Sequence, residues 1–221
     1  MRRIATLLIL VVVLAGLAGV ATTGARAINP TQTTVTGVVN YEFWDLEAFW
    51  KPLVAWYGKS YVRPGVQYYD YYDSYGRMVD FSTPCGTTAG YHGSQGFYCP
   101  GSQTIYVDFN QQTGNLKKFG DGSVGFWLAH EFGHHIQRLA GLNPRIAPNM
   151  ELQADCFAGM YVRYGVSNSY RLFYNDYTEA RNQIWALSSN DPSHGTPQQR
   201  LNNFDWGYNQ LYLPSCVNGY N

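Results

Sequence analysis

His130-Glu131-Phe132-Gly133-His134 sets two imidazoles and one carboxylate at a spacing that a helix turns into a site. Residues four apart lie on one helix face about one turn apart, so His130 and His134 can grip one metal ion from the same side. Glu131 then stands beside the metal's open position, where a carboxylate can take a proton from water. The pentad therefore predicts a helix and a catalytic zinc. Zinc in such sites takes three protein ligands and keeps a fourth position open, so a third ligand must come from elsewhere in the chain.

Reading outward, Asp121 or Ser123 can cap this helix, which runs to Ala140 and is stopped by Gly141 and Pro144. A second helix, from near Asn149 to about Tyr164, carries Glu151 and Asp155 on one face by the same four-residue rule. Glu151 is the candidate third ligand. Asp155 can accept the free ring N–H of a ligating histidine and so fix its tautomer. His135 lies five positions from His130 and points off the ligand face, which makes it structural, and His92 reads as a surface histidine. A third helix covers roughly Tyr170 to Leu187 and a fourth Pro197 to Asn209, with Pro197 suited to a first turn.

The upstream half reads differently. Residues 28–38 form a loose lead-in, and apolar residues from Phe43 to Tyr57 then recur at helical spacing between Asn40 and Tyr57, with Pro52 expected to kink or divide the helix. Residues 66–81 read as strands around a Ser74-Tyr75-Gly76 turn, and Thr104–Phe109 is a further strand. A small sheet in the N-terminal half followed by helices argues an α+β domain.

Arg2 and Arg3, the apolar run Ile4–Ala21 and the A-x-A pattern Ala25-Arg26-Ala27 read as a signal peptide over residues 1–27, cleaved before Ile28. Left uncleaved, the same run would serve as a membrane anchor. Residues 28–221 then make one compact domain, secreted or held outside the cytoplasm in the cell envelope. Removing Arg2, Arg3 and Arg26 from the 15 basic residues leaves 12 against 15 acidic ones, a formal charge of −3. With no basic run or stripe, nucleic acid is excluded as a partner. Cys85, Cys99, Cys156 and Cys216 are even in number and lack a C-x-x-C zinc spacing, which favours two disulfides in an oxidising compartment.

These motifs together resemble the bacterial putative neutral zinc metallopeptidase family. That family carries H-E-[FW]-G-H-H-x-Q, E-L-Q-A-D-C-x-A-G and H-G-[ST]-x-x-Q-R. Here they stand as His130 to Gln137, Glu151 to Gly159 and His194 to Arg200, with Phe97-Tyr98-Cys99-Pro100 before the Ile105–Asp108 strand. The match covers roughly Trp50 to Cys216. The resemblance implies a zincin-like fold of the gluzincin type, with one zinc per chain on His130, His134 and Glu151.

The expected activity is hydrolysis of peptide bonds in a peptide or protein substrate, with Glu131 as general base. His194, a loop histidine followed by Gly195, is the candidate donor to the oxyanion, with Tyr106 or Arg200 as secondary candidates. The Thr104–Phe109 strand is expected to offer a free edge to an extended peptide. Two rivals stand beside this reading: a zinc-binding scaffold without turnover, and a zinc amidase acting on cell-wall peptides. Of the three possible disulfide pairings, Cys85–Cys99 closes a short loop before the Ile105 strand, and Cys156–Cys216 ties the C-terminal end to the helix bearing Glu151 and Asp155.

Overall fold

The structure, a computed structural model, describes residues 33–142, 144, 147–168, 174–188 and 193–220. The signal peptide expected over residues 1–27 lies outside the described residues.

Helix α1 (Val35–Trp56) begins where Thr34 Oγ1 accepts the Gly37 N–H at 3.1 Å. The expected loose lead-in thus ends earlier than residue 38. Val35, Val38 and Val39 extend the buried stripe of Phe43, Leu46, Phe49, Trp50 and Val54, and that burial recruits them into the helix. Pro52 lies inside α1 without dividing it.

Strand β1 (Gly65–Tyr69) is followed by a two-stranded ribbon, β2 (Ser82–Thr83) and β3 (Gly86–Thr87), and then by β4 (Gly96–Cys99) and β5 (Thr104–Asp108). The strands expected to pair across residues 66–81 contract to β1 and one antiparallel bridge, Tyr72 to Met78. Asp73 explains the contraction. Its carboxylate takes the N–H groups of Tyr75 and Arg77 at 2.8 and 3.0 Å, closing the turn through a side chain in place of a strand ladder.

The main sheet has the order β1-β5-β4, parallel on one side of β5 and antiparallel on the other. This corrects the expectation of a free edge on the Thr104 strand. Ile105 and Val107 are fully buried, so β5 is the central strand, and the edge that lies against α3 belongs to β4. Phe109 also leaves the strand. Asp108 Oδ1 accepts the Gln111 N–H at 2.8 Å and starts α2 (Phe109–Phe119), a helix the sequence pattern did not reveal.

Helix α3 (Asp121–Ala140) carries the pentad and packs against α1, α4 (Ala147–Asn168) and α5 (Tyr174–Leu187). Its cap is Gly120, one residue before the expected Asp121, and it ends at Gly141 in the left-handed conformation with φ 71°. Helix α6 (Pro197–Gln210) starts with a capping box between Thr196 and Gln199, and α7 (Leu213–Val217) follows.

Helices α4 and α6 meet backbone to backbone. A Cβ at Gly159 would sit 2.0 Å from the Phe204 carbonyl oxygen, and one at Gly207 would sit 1.9 Å from that of Cys156. Only glycine permits that approach, and it brings Arg200 of α6 against Asp155 of α4. Disulfides join Cys85 to Cys99 and, across 60 residues, Cys156 of α4 to Cys216 of α7. Among the described residues no helix is long and apolar enough to cross a membrane.

Candidate metal centre

Helix α3 presents His130, Glu131 and His134, and α4 crosses it so that Glu151 faces both histidines. His130 Nε2 lies 3.1 Å from Glu151 Oε2, and His134 Nε2 lies 3.5 Å from Glu151 Oε1. One donor atom from each residue falls within 4.8 Å of the other two. Ligands held tetrahedrally at about 2.0–2.1 Å from a zinc are separated by about 3.3 Å, so this donor set fits zinc in chemistry and in spacing. Burial alone would raise the Glu151 carboxyl, but the two imidazoles outweigh it and hold it well below the usual carboxylate range.

The other ring nitrogen of each histidine is fixed by an acceptor. His130 Nδ1 donates to Asp155 Oδ1 at 2.8 Å. Arg200 holds the same carboxylate with two bonds, Nε to Oδ2 at 2.8 Å and Nη2 to Oδ1 at 2.7 Å. Burial pushes Asp155 upward, yet Arg200 and then His130 outweigh it and keep the group ionised.

His134 Nδ1 donates to Gln137 Oε1 at 2.8 Å, and Gln137 Nε2 reaches Met150 O at 2.7 Å and Gln153 Oε1 at 3.0 Å. Gln153 Nε2 in turn donates to Cys216 O at 3.0 Å. Both Nε2 atoms are thereby left facing Glu151, the arrangement a metal-ligating histidine needs. Gln137 and Gln153 were not singled out from the sequence. Gln137 stands three positions after His134 on the same helix face, which was the available signal.

Glu131 is buried beside this cluster, and its Oε2 accepts the backbone N–H of Tyr98 at 2.8 Å. Burial pushes its carboxyl upward. The cleft opens on both sides of it. A cavity of about 530 Å³ is lined by residues including Tyr98, Pro100, His134, Arg138, Leu142 and Met150. A second of about 350 Å³ is lined by residues including Gln95, Gln111, Trp127, His130, Ser188 and Arg200. Gly96, Glu131 and His194 border both.

The remaining candidates separate clearly. His194 is exposed at the junction of the two cavities, with Nδ1 2.8 Å from Ser193 Oγ. Arg200 reaches the smaller cavity but is committed to Asp155. Tyr106 lines neither cavity: its ring stacks on Phe97 with centroids 5.0 Å apart, and its hydroxyl lies 3.2 Å from Ser102 Oγ. It faces the far side of the sheet because side chains alternate along a strand. His135 is fully buried between the Tyr98 hydroxyl at 2.9 Å and Val62 O at 2.7 Å. His92 is exposed and bonds Asp80 at 2.7 Å.

Comparison with known proteins yields a family model described as "Putative neutral zinc metallopeptidase", matching residues 14–218. The uncharacterized protein YpfJ of Escherichia coli K12 is 28% identical over 253 aligned positions, covering 95% of this chain and 84% of that protein. The uncharacterized protein Rv2575 of Mycobacterium tuberculosis H37Rv is 31% identical over 156 positions, covering 64% of this chain and 47% of the relative. The uncharacterized protein Mb2605 of Mycobacterium bovis matches to the same extent. No solved structure matches the chain significantly.

Proposed function

This chain belongs to the putative neutral zinc metallopeptidase family, and from that premise we propose that it is an exported, zinc-dependent metallopeptidase with one zinc per chain. The observation that carries the reading is the convergence of His130, His134 and Glu151, with donor atoms within 4.8 Å of one another, beside a carboxylate, Glu131, that is not one of the three donors. The two disulfides and the leader-like residues 1–27 support export.

Zinc at these donors would supply Lewis acidity, polarising a carbonyl and acidifying water. The protein's own groups do the rest. Glu131 accepts the proton of the attacking water and later delivers it to the leaving amine, while the Tyr98 N–H fixes one of its oxygens and leaves the other to work. Asp155 and Gln137 hold the imidazoles in the tautomer that presents Nε2. His194, at the junction of the two cavities, donates to the oxyanion as the carbonyl becomes tetrahedral.

Because the Tyr98 N–H points into the cleft, strand alternation turns the backbone groups of Gly96 and Tyr98 the same way. An extended peptide therefore pairs with β4, the strand that replaces β5 in this role.

The decisive comparison is N-terminal proteomics of a protein mixture exposed to the purified enzyme and to its Glu131→Gln form, with zinc measured in both. The expected result is new N-termini only with the wild type and equal zinc in the two proteins. His194→Ala should keep zinc and lose roughly 10²–10³ in turnover. Zinc without Glu131-dependent cleavage would replace the peptidase by a zinc-binding scaffold, and cleavage confined to cell-wall peptides would make it an amidase.

A further inference from the structure

The two compartments of the cleft each have a cation on their wall, and the two differ in one respect. Arg200, beside the smaller cavity, is neutralised by the twofold grip of Asp155. Arg138, beside the larger one, has no carboxylate within ion-pair distance among the described residues, and it is exposed. Apart from Arg138 itself, the histidines His134 and His194, and Glu131 and Glu151, which face the metal position, the described lining of the larger cavity is uncharged: Tyr98, Pro100, Leu142 and Met150 among others. An exposed guanidinium on the wall of this cavity, with no carboxylate partner among the described residues, can receive an anion that the occupant brings.

Position fixes where that anion would sit. Arg138 follows Glu131 by seven residues and His134 by four, so all three share one face of α3. The rise from Glu131 to Arg138 is about 10 Å, which an extended chain covers in about three residues. Helical side chains lean toward the N-terminus of their helix, which turns Arg138 back toward His134. Its charge is felt at the Tyr98 phenol, where it opposes the burial that raises that group to about 12. A planar guanidinium takes a carboxylate through two parallel bonds, a pairing that lysine does not reproduce.

We propose that Arg138 makes the larger compartment a carboxylate reader, so that the favoured substrate carries a carboxylate within about three residues of the cleaved bond. The carboxylate comes from an aspartate or glutamate side chain or from a free C-terminus; the recognition chemistry is the same. The inference rests on the reading of this cleft as a peptide-binding site.

The test is binding of labelled peptides to the full-length Glu131→Gln protein, with and without added zinc, read by fluorescence anisotropy. Matched pairs differ by Glu against Gln at each position near the centre, and by a free against an amidated C-terminus. The expected result is about threefold to fivefold tighter binding of the acidic member, the scale of an exposed ion pair. It should hold with and without zinc, fall to a ratio near one in Arg138→Gln, and return in part in Arg138→Lys. Which pair shows the difference identifies the source of the carboxylate. Equal binding of the two members, no measurable binding of any acidic peptide, or a preference that survives Arg138→Gln overturns the proposal. Acid-selective binding that depends on Arg138, with no hydrolysis by the wild type, would instead overturn the peptidase reading and leave the role of Arg138 standing.

Discussion

Asp155 answers two demands with one carboxylate: it accepts the His130 ring N–H and the fork of Arg200. Replacing it by Asn keeps the shape and removes the charge, which leaves Arg200 without its counter-ion. The expected loss is about 3–5 kcal/mol of folding stability, with zinc affinity lower by roughly 10–100-fold. Gln137→Ala should lower zinc affinity on that scale but cost only about 1–3 kcal/mol, because a neutral group is lost. Urea denaturation and competition with a chromophoric chelator measure both, and equal stability losses in the two variants would contradict this account. Much of this site was legible in the sequence. The pentad and the Glu151/Asp155 pair lie at spacings that a helix fixes without help from the rest of the fold. Gln137 had a signal in its three-residue spacing from His134, but the partners that hold its amide, Met150 and Gln153, appear only once α4 packs beside it. Tyr98 was hidden more deeply, since it holds Glu131 through a backbone N–H that carries no side-chain signal.

Helices α4 and α6 cross at Gly159 and Gly207, and that crossing sets the distance between Asp155 and Arg200. Gly207→Ala puts a methyl group where the Cys156 carbonyl oxygen stands 1.9 Å away, so the helices must part. The expected cost is at least about 1–3 kcal/mol, as for other overpacked contacts, with weaker zinc binding as Arg200 draws back from Asp155. Calorimetric unfolding beside chelator competition checks it; a loss of stability with unchanged zinc affinity would show that the crossing does not position the site. At this scale the sequence was less informative. Periodicity found α1, which buries one stripe against the core, while motif spacing and cap and stop residues found α3, α4, α5 and α6. It missed α2, whose buried face is made of Gln112 and Asn115 and gives no apolar period. It assigned the free edge to β5 because strand order is a property of pairing, and pairing between distant strands leaves no mark on either one.

At the scale of the whole molecule, the described domain is closed by its two disulfides. The loop-entropy model gives about 4 kcal/mol for the cross-link between Cys156 and Cys216 and about 3 kcal/mol for the shorter one between Cys85 and Cys99. The Cys156→Ala/Cys216→Ala double variant should lose stability on that scale and also bind zinc less tightly, because Gln153 hangs from the Cys216 carbonyl. Cys85→Ala/Cys99→Ala should lose stability alone. Denaturation midpoints and zinc affinities for both pairs decide the matter, and a Cys156/Cys216 variant with wild-type zinc affinity would break the link.

That link runs from the C-terminal end of the fold to a proposed metal ligand: Cys216, Gln153, Gln137, His134. A newly made chain with thiols at Cys156 and Cys216 has the last support of this relay untethered from α4. On the proposed zinc reading, oxidation of this pair would precede full metal affinity. If the chain is exported and binds zinc as proposed, it would compete less well for zinc in a reducing compartment than after it has crossed into an oxidising one. On that reading, the Cys156–Cys216 bond would act as a timer on metal loading.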